Sequence, residues 1–209
     1  MKQKFSFHLI VLVCISFIWV LYSCSKQYER DKSVQKIESI LNNTDVAFKR
    51  LAFTELNVNE QVQILKAHLQ DQLSSFRKER TKYNFIIKVM NSITPSSIEK
   101  NSDNQTKNAL LEYEAHQIFS KDECYYLFYS LEKPDIKTLT APEGSAVEVG
   151  APAQNDCHCN SSSFWSCIFQ KDCKKGAFDC NRKDSGCGWL LSDACDGKCV
   201  GDEEVDILE

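Results

Sequence analysis

The chain has 209 residues, 25 lysines and arginines against 29 aspartates and glutamates, and a formal net charge of −4. Binding phosphate backbones needs clustered Lys and Arg, so this balance argues against a nucleic-acid partner. Eight of the 11 cysteines fall between Cys157 and Cys199, and such density implies either disulfides or metal.

The first 23 residues read MKQKFSFHLIVLVCISFIWVLYS. Lys2 and Lys4 make a short basic start, and an almost unbroken apolar run follows to Tyr22, the layout of an export signal. Cys14 is one apolar residue within it. The run is also long enough to span a bilayer, which takes roughly 17 to 25 apolar residues. Leu21-Tyr22-Ser23-Cys24 then resembles the bacterial lipoprotein box. That resemblance implies cleavage before Cys24 and acylation of its thiol and new amine. At about 0.8 kcal/mol per buried methylene, several acyl chains hold a protein firmly to a membrane. The expected place of the body is therefore the bacterial cell envelope, lipid-anchored and facing the periplasm or exterior.

Residues 24–32 are polar and read as a tether. From 33 to 132 the pattern is helical. Val34, Ile37 and Leu41 share one spacing, and Asn43-Thr44-Asp45 offers a break and a new cap before Phe48 and Leu51. Asn57 and Glu60 form a reciprocal capping pair. Val62, Leu65, Leu69, Phe76, Tyr83, Ile86, Met90 and Ile93 form an apolar stripe over one helix, or over two with a break near Ser74-Ser75. Thr94-Pro95 starts another turn with proline at the first helical position. A further helix covers roughly Thr106 to Phe119, and Ser120 to Glu123 repeats the capping arrangement before the aromatic run YYLFYSL. Cys124 begins that run beside Asp122 and Glu123, a setting that suits a buried, inert thiol. Tyr125, Tyr126, Phe128 and Tyr129 read as packing, and His68 and His116 as surface or interhelical residues.

Residues 133–156 hold three of the four prolines and read as a linker. The 43 residues from Cys157 to Cys199 are too few to build a core without staples. In an exported protein Cys157, Cys159, Cys167, Cys173, Cys180, Cys187, Cys195 and Cys199 read as four disulfides, each contributing about 2 to 4 kcal/mol. On the order of a hundred pairings exist. The sequence excludes little beyond Cys157 to Cys159, whose separation rarely reaches disulfide geometry. Zinc sites usually show two to four residues between paired cysteines, and only Cys195 and Cys199, with three between them, have that spacing. No metal and no cofactor are expected, and His158 reads as an exposed loop residue. Residues 200–209 are an acidic, solvated tail.

The Cys-x-Cys start, the single cysteines that follow, Gly186-Cys187-Gly188-Trp189 and a last cysteine pair flanking Asp-Gly resemble the bacteriocin fulvocin C-related group. That resemblance implies a helical N-terminal region followed by a cysteine module with antibacterial kinship. The expected fold is mainly α: an N-terminal helical bundle, a proline-containing linker and a small disulfide-rich module with little regular structure.

No catalytic constellation stands out, so no enzyme activity and no small-molecule substrate are expected. The expected partners are the membrane, through the N-terminal lipid, and an envelope or protein target. Phe164, Trp165, Phe169, Trp189 and Leu190, beside Lys171, Lys174 and Lys175, could make that contact, since basic and aromatic faces favour membrane surfaces; equally, the aromatics could fill a tiny core. Two functions follow: a stapled module held out on its linker to bind an envelope target, or the precursor of an antibacterial peptide released from a helical pro-region.

Overall fold

The computed structural model describes residues 27–28, 31–99, 102–133, 157, 159–163, 167, 172–175 and 180–200. The signal segment, Cys24, the linker from 134 to 156, His158, Phe164, Trp165, Phe169, Lys171 and the acidic tail lie outside them. Residues 27–28 and 31–32, read above as tether, are helical, and Gln27 donates to Asp31 one turn on at 3.0 Å. Helix α1 runs over 31–41. Among the described residues no helix is long and apolar enough to cross a membrane. The chain divides into two compact units at Ser39/Ile40.

Local sequence chemistry sets most helix starts. Asp45 accepts the Phe48 amide at 3.1 Å and opens α2, Val46–Thr54. Asn57 accepts the Glu60 amide while the Glu60 carboxylate accepts the Asn57 amide, each at 3.0 Å, and α3 spans Val58–Gln72. This helix does not continue. A 3₁₀ turn over Leu73–Phe76 tightens the chain, and α4 restarts at Arg80 and runs to Ser92. The apolar stripe is therefore carried by two helices.

The buried face is also broader than that stripe. Ile64, Phe85 and Val89 are buried with Leu65, Leu69, Phe76, Ile86 and Ile93, while Val62, Tyr83 and Met90 are half-exposed. A seven-residue repeat describes a narrow two-helix seam, whereas a helix packed among several others buries a wider arc.

Thr94 and Ser97 cap each other around Pro95 and start the single turn α5, Pro95–Ile98. Helix α6 covers Ser102–Ile118. Ser120 and Glu123 cap α7, Lys121–Cys124, which passes directly into a π-helical turn over Tyr125–Tyr129. All five residues of that turn are buried, as a helical segment apolar on every side must be. Its rings join a continuous aromatic run: Phe76 meets Phe119 edge-on at 5.8 Å, and Phe119 meets Phe128 at 5.6 Å.

Among the described residues the cysteine module contributes four short strands in two antiparallel pairs. Strand β1, Asp172–Lys175, pairs with β4, Gly197–Val200. Strand β2, Lys183–Cys187, pairs through an irregular register with β3, Asp193–Cys195. The fold is mainly α, with a disulfide-rich C-terminal end.

Candidate functional site

Four disulfides join Cys157 to Cys180, Cys159 to Cys173, Cys167 to Cys199 and Cys187 to Cys195, with Cα atoms 5.0 to 5.9 Å apart. Backbone bonds assist them. Cys159 and Gly197 exchange two amide bonds at 3.2 Å, and the Asp196 amide also reaches the Cys159 carbonyl at 3.0 Å. The approach is close enough to require glycine: a Cβ on Gly197 would lie 2.7 Å from the Cys173 sulfur and 2.6 Å from the Lys174 carbonyl oxygen. Asp196 accepts the amide and hydroxyl of Ser161 at 2.7 and 2.8 Å. Burial opposes its ionisation, but the Ser161 bonds, with Lys175 and Arg182, outweigh that and hold the carboxyl below its usual range.

The sulfur atoms of Cys159, Cys167 and Cys199 lie within 4.8 Å of one another. A thiolate is the form that ligates metal, and each of these sulfurs is already bonded to another, so the oxidised cluster does not suit a cation.

The link from β2 to β3 anchors the module to the helices. Gly188 turns with φ of 68°, and a Cβ there would overlap the Asp193 carboxylate at 2.0 Å. Leu190 and Leu191 follow at φ of 51° and 56°, a left-handed conformation costing roughly 1 to 2 kcal/mol per residue outside glycine. Both side chains are buried, and burial at about 1.5 to 3 kcal/mol for such a side chain offsets the strain.

Trp189 is only 2 % exposed. Its ring lies 4.6 Å from Phe128 and 6.0 Å from Tyr129, which extends the aromatic run of the helices into the module. Gly186 brings β2 against α2, where a Cβ would come within 3.1 Å of Thr54 Cγ2. The expectation that Trp189 and Leu190 offer an exposed contact is thus corrected. The module is too small to cover these side chains by itself, and the π-helical turn covers them. For the same reason the module is seated on the helical body rather than held away from it. Of the other contact residues proposed above, Lys174 and Lys175 are exposed on β1.

Polar groups around this seat are fixed by bonds that burial strengthens. Tyr129 donates its hydroxyl proton to the Glu112 carboxylate and accepts from His116 Nε2 at 2.9 Å, which places the neutral His116 proton on Nε2. Burial raises the Glu112 carboxyl, and the nearby Asp193 of the module raises it further against the Tyr129 bond. Tyr125 donates to Glu132 at 2.7 Å and accepts from Arg50 at 3.1 Å. Lys49 donates to the Leu131 carbonyl at 2.9 Å, and burial lowers its ammonium pKa.

His68, expected at the surface or between helices, is fully buried. Its Nε2 lies 2.7 Å from the Tyr126 carbonyl, so Nε2 carries the proton, and burial lowers its pKa to about 4. Cys124 is buried and unpaired, with its pKa pushed up to about 12 by burial. His68 thus takes the second of its two expected places, between helices, whereas Gln61 and Gln72 are buried polar residues not expected in the core; their helical spacing with Ile64, Leu65 and Leu69 was the available signal. No family model, no curated protein and no solved structure matches the chain.

Proposed function

We propose that this is a non-catalytic envelope protein, held to a membrane through acylated Cys24, whose stapled module binds a cell-envelope target while seated on the helical body. The observation that carries the reading is the burial of Trp189 against Phe128 and Tyr129. A module made for release would have to expose that ring together with Leu190 and Leu191. Seated, it turns the β1 edge with Lys174 and Lys175 to solvent, a cationic face suited to anionic envelope groups. Kinship with the fulvocin C-related group enters as the source of the cysteine framework and does not require killing.

Two assays on one culture test the proposal. Cells fed labelled palmitate should yield a labelled, membrane-bound full-length chain, and Cys24→Ala should abolish both label and membrane retention. Purified envelopes should retain the full chain, with retention weakened by Lys174→Glu plus Lys175→Glu. An unlabelled chain, or a small cysteine-rich fragment in the medium that inhibits neighbouring bacteria, would overturn it in favour of the released-peptide precursor.

A further inference from the structure

Two of the four disulfides are neighbours. The sulfurs of Cys159, Cys167 and Cys199 are mutually within 4.8 Å, although they belong to two bonds, Cys159 to Cys173 and Cys167 to Cys199. Cys173 and Cys199 also stand directly opposite each other in the β1–β4 ladder. Opposed residues of an antiparallel pair have Cα atoms about 4.5 to 5.5 Å apart, inside the range a disulfide spans. The same four cysteines can therefore be joined in a second way, Cys159 to Cys167 and Cys173 to Cys199, with no strand displaced.

Access and charge favour the exchange. Cys159 and Cys167 are buried, whereas Cys173 and Cys199 are half-exposed, so an incoming thiolate meets the ladder side first. Lys175 stands two residues on from Cys173, on the same face of the strand, and is exposed while it pairs loosely with Asp196 at 3.8 Å. Cationic surroundings stabilise thiolates and draw them in. The other two disulfides, Cys157 to Cys180 and Cys187 to Cys195, also pack together, but across the β2–β3 ladder Cys195 faces Lys183 and Cys187 faces Asp193, so no second cysteine stands opposite to exchange with.

We infer that this disulfide pair is a thiol-reactive site, at which an external thiol converts one pairing into the other without net oxidation or reduction. The thiolate attacks the Cys199 sulfur, forming a mixed disulfide and releasing Cys167 as thiolate. Cys167 attacks the Cys159 sulfur, forming the new Cys159–Cys167 bond and releasing Cys173. Cys173 attacks the Cys199 sulfur across the ladder, forming Cys173–Cys199 and expelling the original thiolate. Two disulfide bonds break and two form, and the thiol is regenerated. Attack at sulfur through mixed disulfides is the general route of such exchange.

The test uses the full oxidised chain, incubated with reduced glutathione below one equivalent, quenched with acid, alkylated and digested with trypsin. Cleavage after Lys171, Lys174 and Lys198 places Cys173 in Asp172–Lys174 and Cys199 in Cys199–Glu209. The expected result is a growing species in which these two peptides are linked only to each other, with Cys157–Cys180 and Cys187–Cys195 unchanged. Lys175→Glu, which leaves the cleavage after Lys174 intact, should slow its appearance. An unaltered map after prolonged incubation would overturn the inference, and so would scrambling spread over all eight cysteines.

Discussion

A single indole marks the difference between a tethered knob and a seated one. Trp189 is buried against Phe128 and Tyr129, and its Nε1 finds no hydrogen-bond partner among the described residues. Trp189→Ala should therefore destabilise the fold by roughly 3 to 5 kcal/mol, the usual cost of deleting a buried aromatic. Trp189→Phe should cost markedly less, because it keeps a ring on Phe128 and removes the unpaired donor. Chemical denaturation of the three proteins reads both values.

His68 sets a pH dependence of definite sign. Its folded pKa is about 4, below the roughly 6.5 of an unfolded histidine. The unfolded chain thus binds the proton first as pH falls, and stability is lost between about 6.5 and 4, by up to about 3 kcal/mol. His68→Gln keeps a donor for the Tyr126 carbonyl and should flatten that slope in urea titrations. Cys124, with its pKa pushed up to about 12 by burial, should resist maleimide at pH 8 while folded and react fully once denatured.

At the level of elements, caps were legible outright, as was the break at Asn43-Thr44-Asp45, while the break near Ser74-Ser75 was legible only as one of two alternatives. The Asn57–Glu60 pair can be read directly because both halves of the bond lie within one turn. Asn57→Ala should cost about 1 kcal/mol, with α3 fraying first in amide exchange. The end of α3 was harder to place, because Leu73 and Phe76 keep helical spacing through the 3₁₀ turn and periodicity alone does not register a tightened turn. The π-helical turn was legible as packing but not as geometry: Tyr125, Tyr126, Phe128 and Tyr129 announce burial, while the wider turn has no spacing signature. The expected export and the even count in a short segment made the cysteines readable as disulfides, yet their pairing depends on how β1 meets β4, which no local pattern encodes.

Across the whole molecule, the feature the sequence did not disclose is the seat of the module. Phe128 and Trp189 are far apart in the chain, and an apolar tryptophan in a small stapled segment looks the same whether it faces solvent, a membrane or a helix. Once seated, Gly186 against α2 and the Trp189–Leu191 turn against the aromatic run make helices and module one compact unit. The most direct test is to place a protease site between residues 134 and 156, cut the oxidised protein and run it on a sizing column. The module should stay with the helical body and leave it only in denaturant; a freely eluting module beside a body that remains folded would contradict the account.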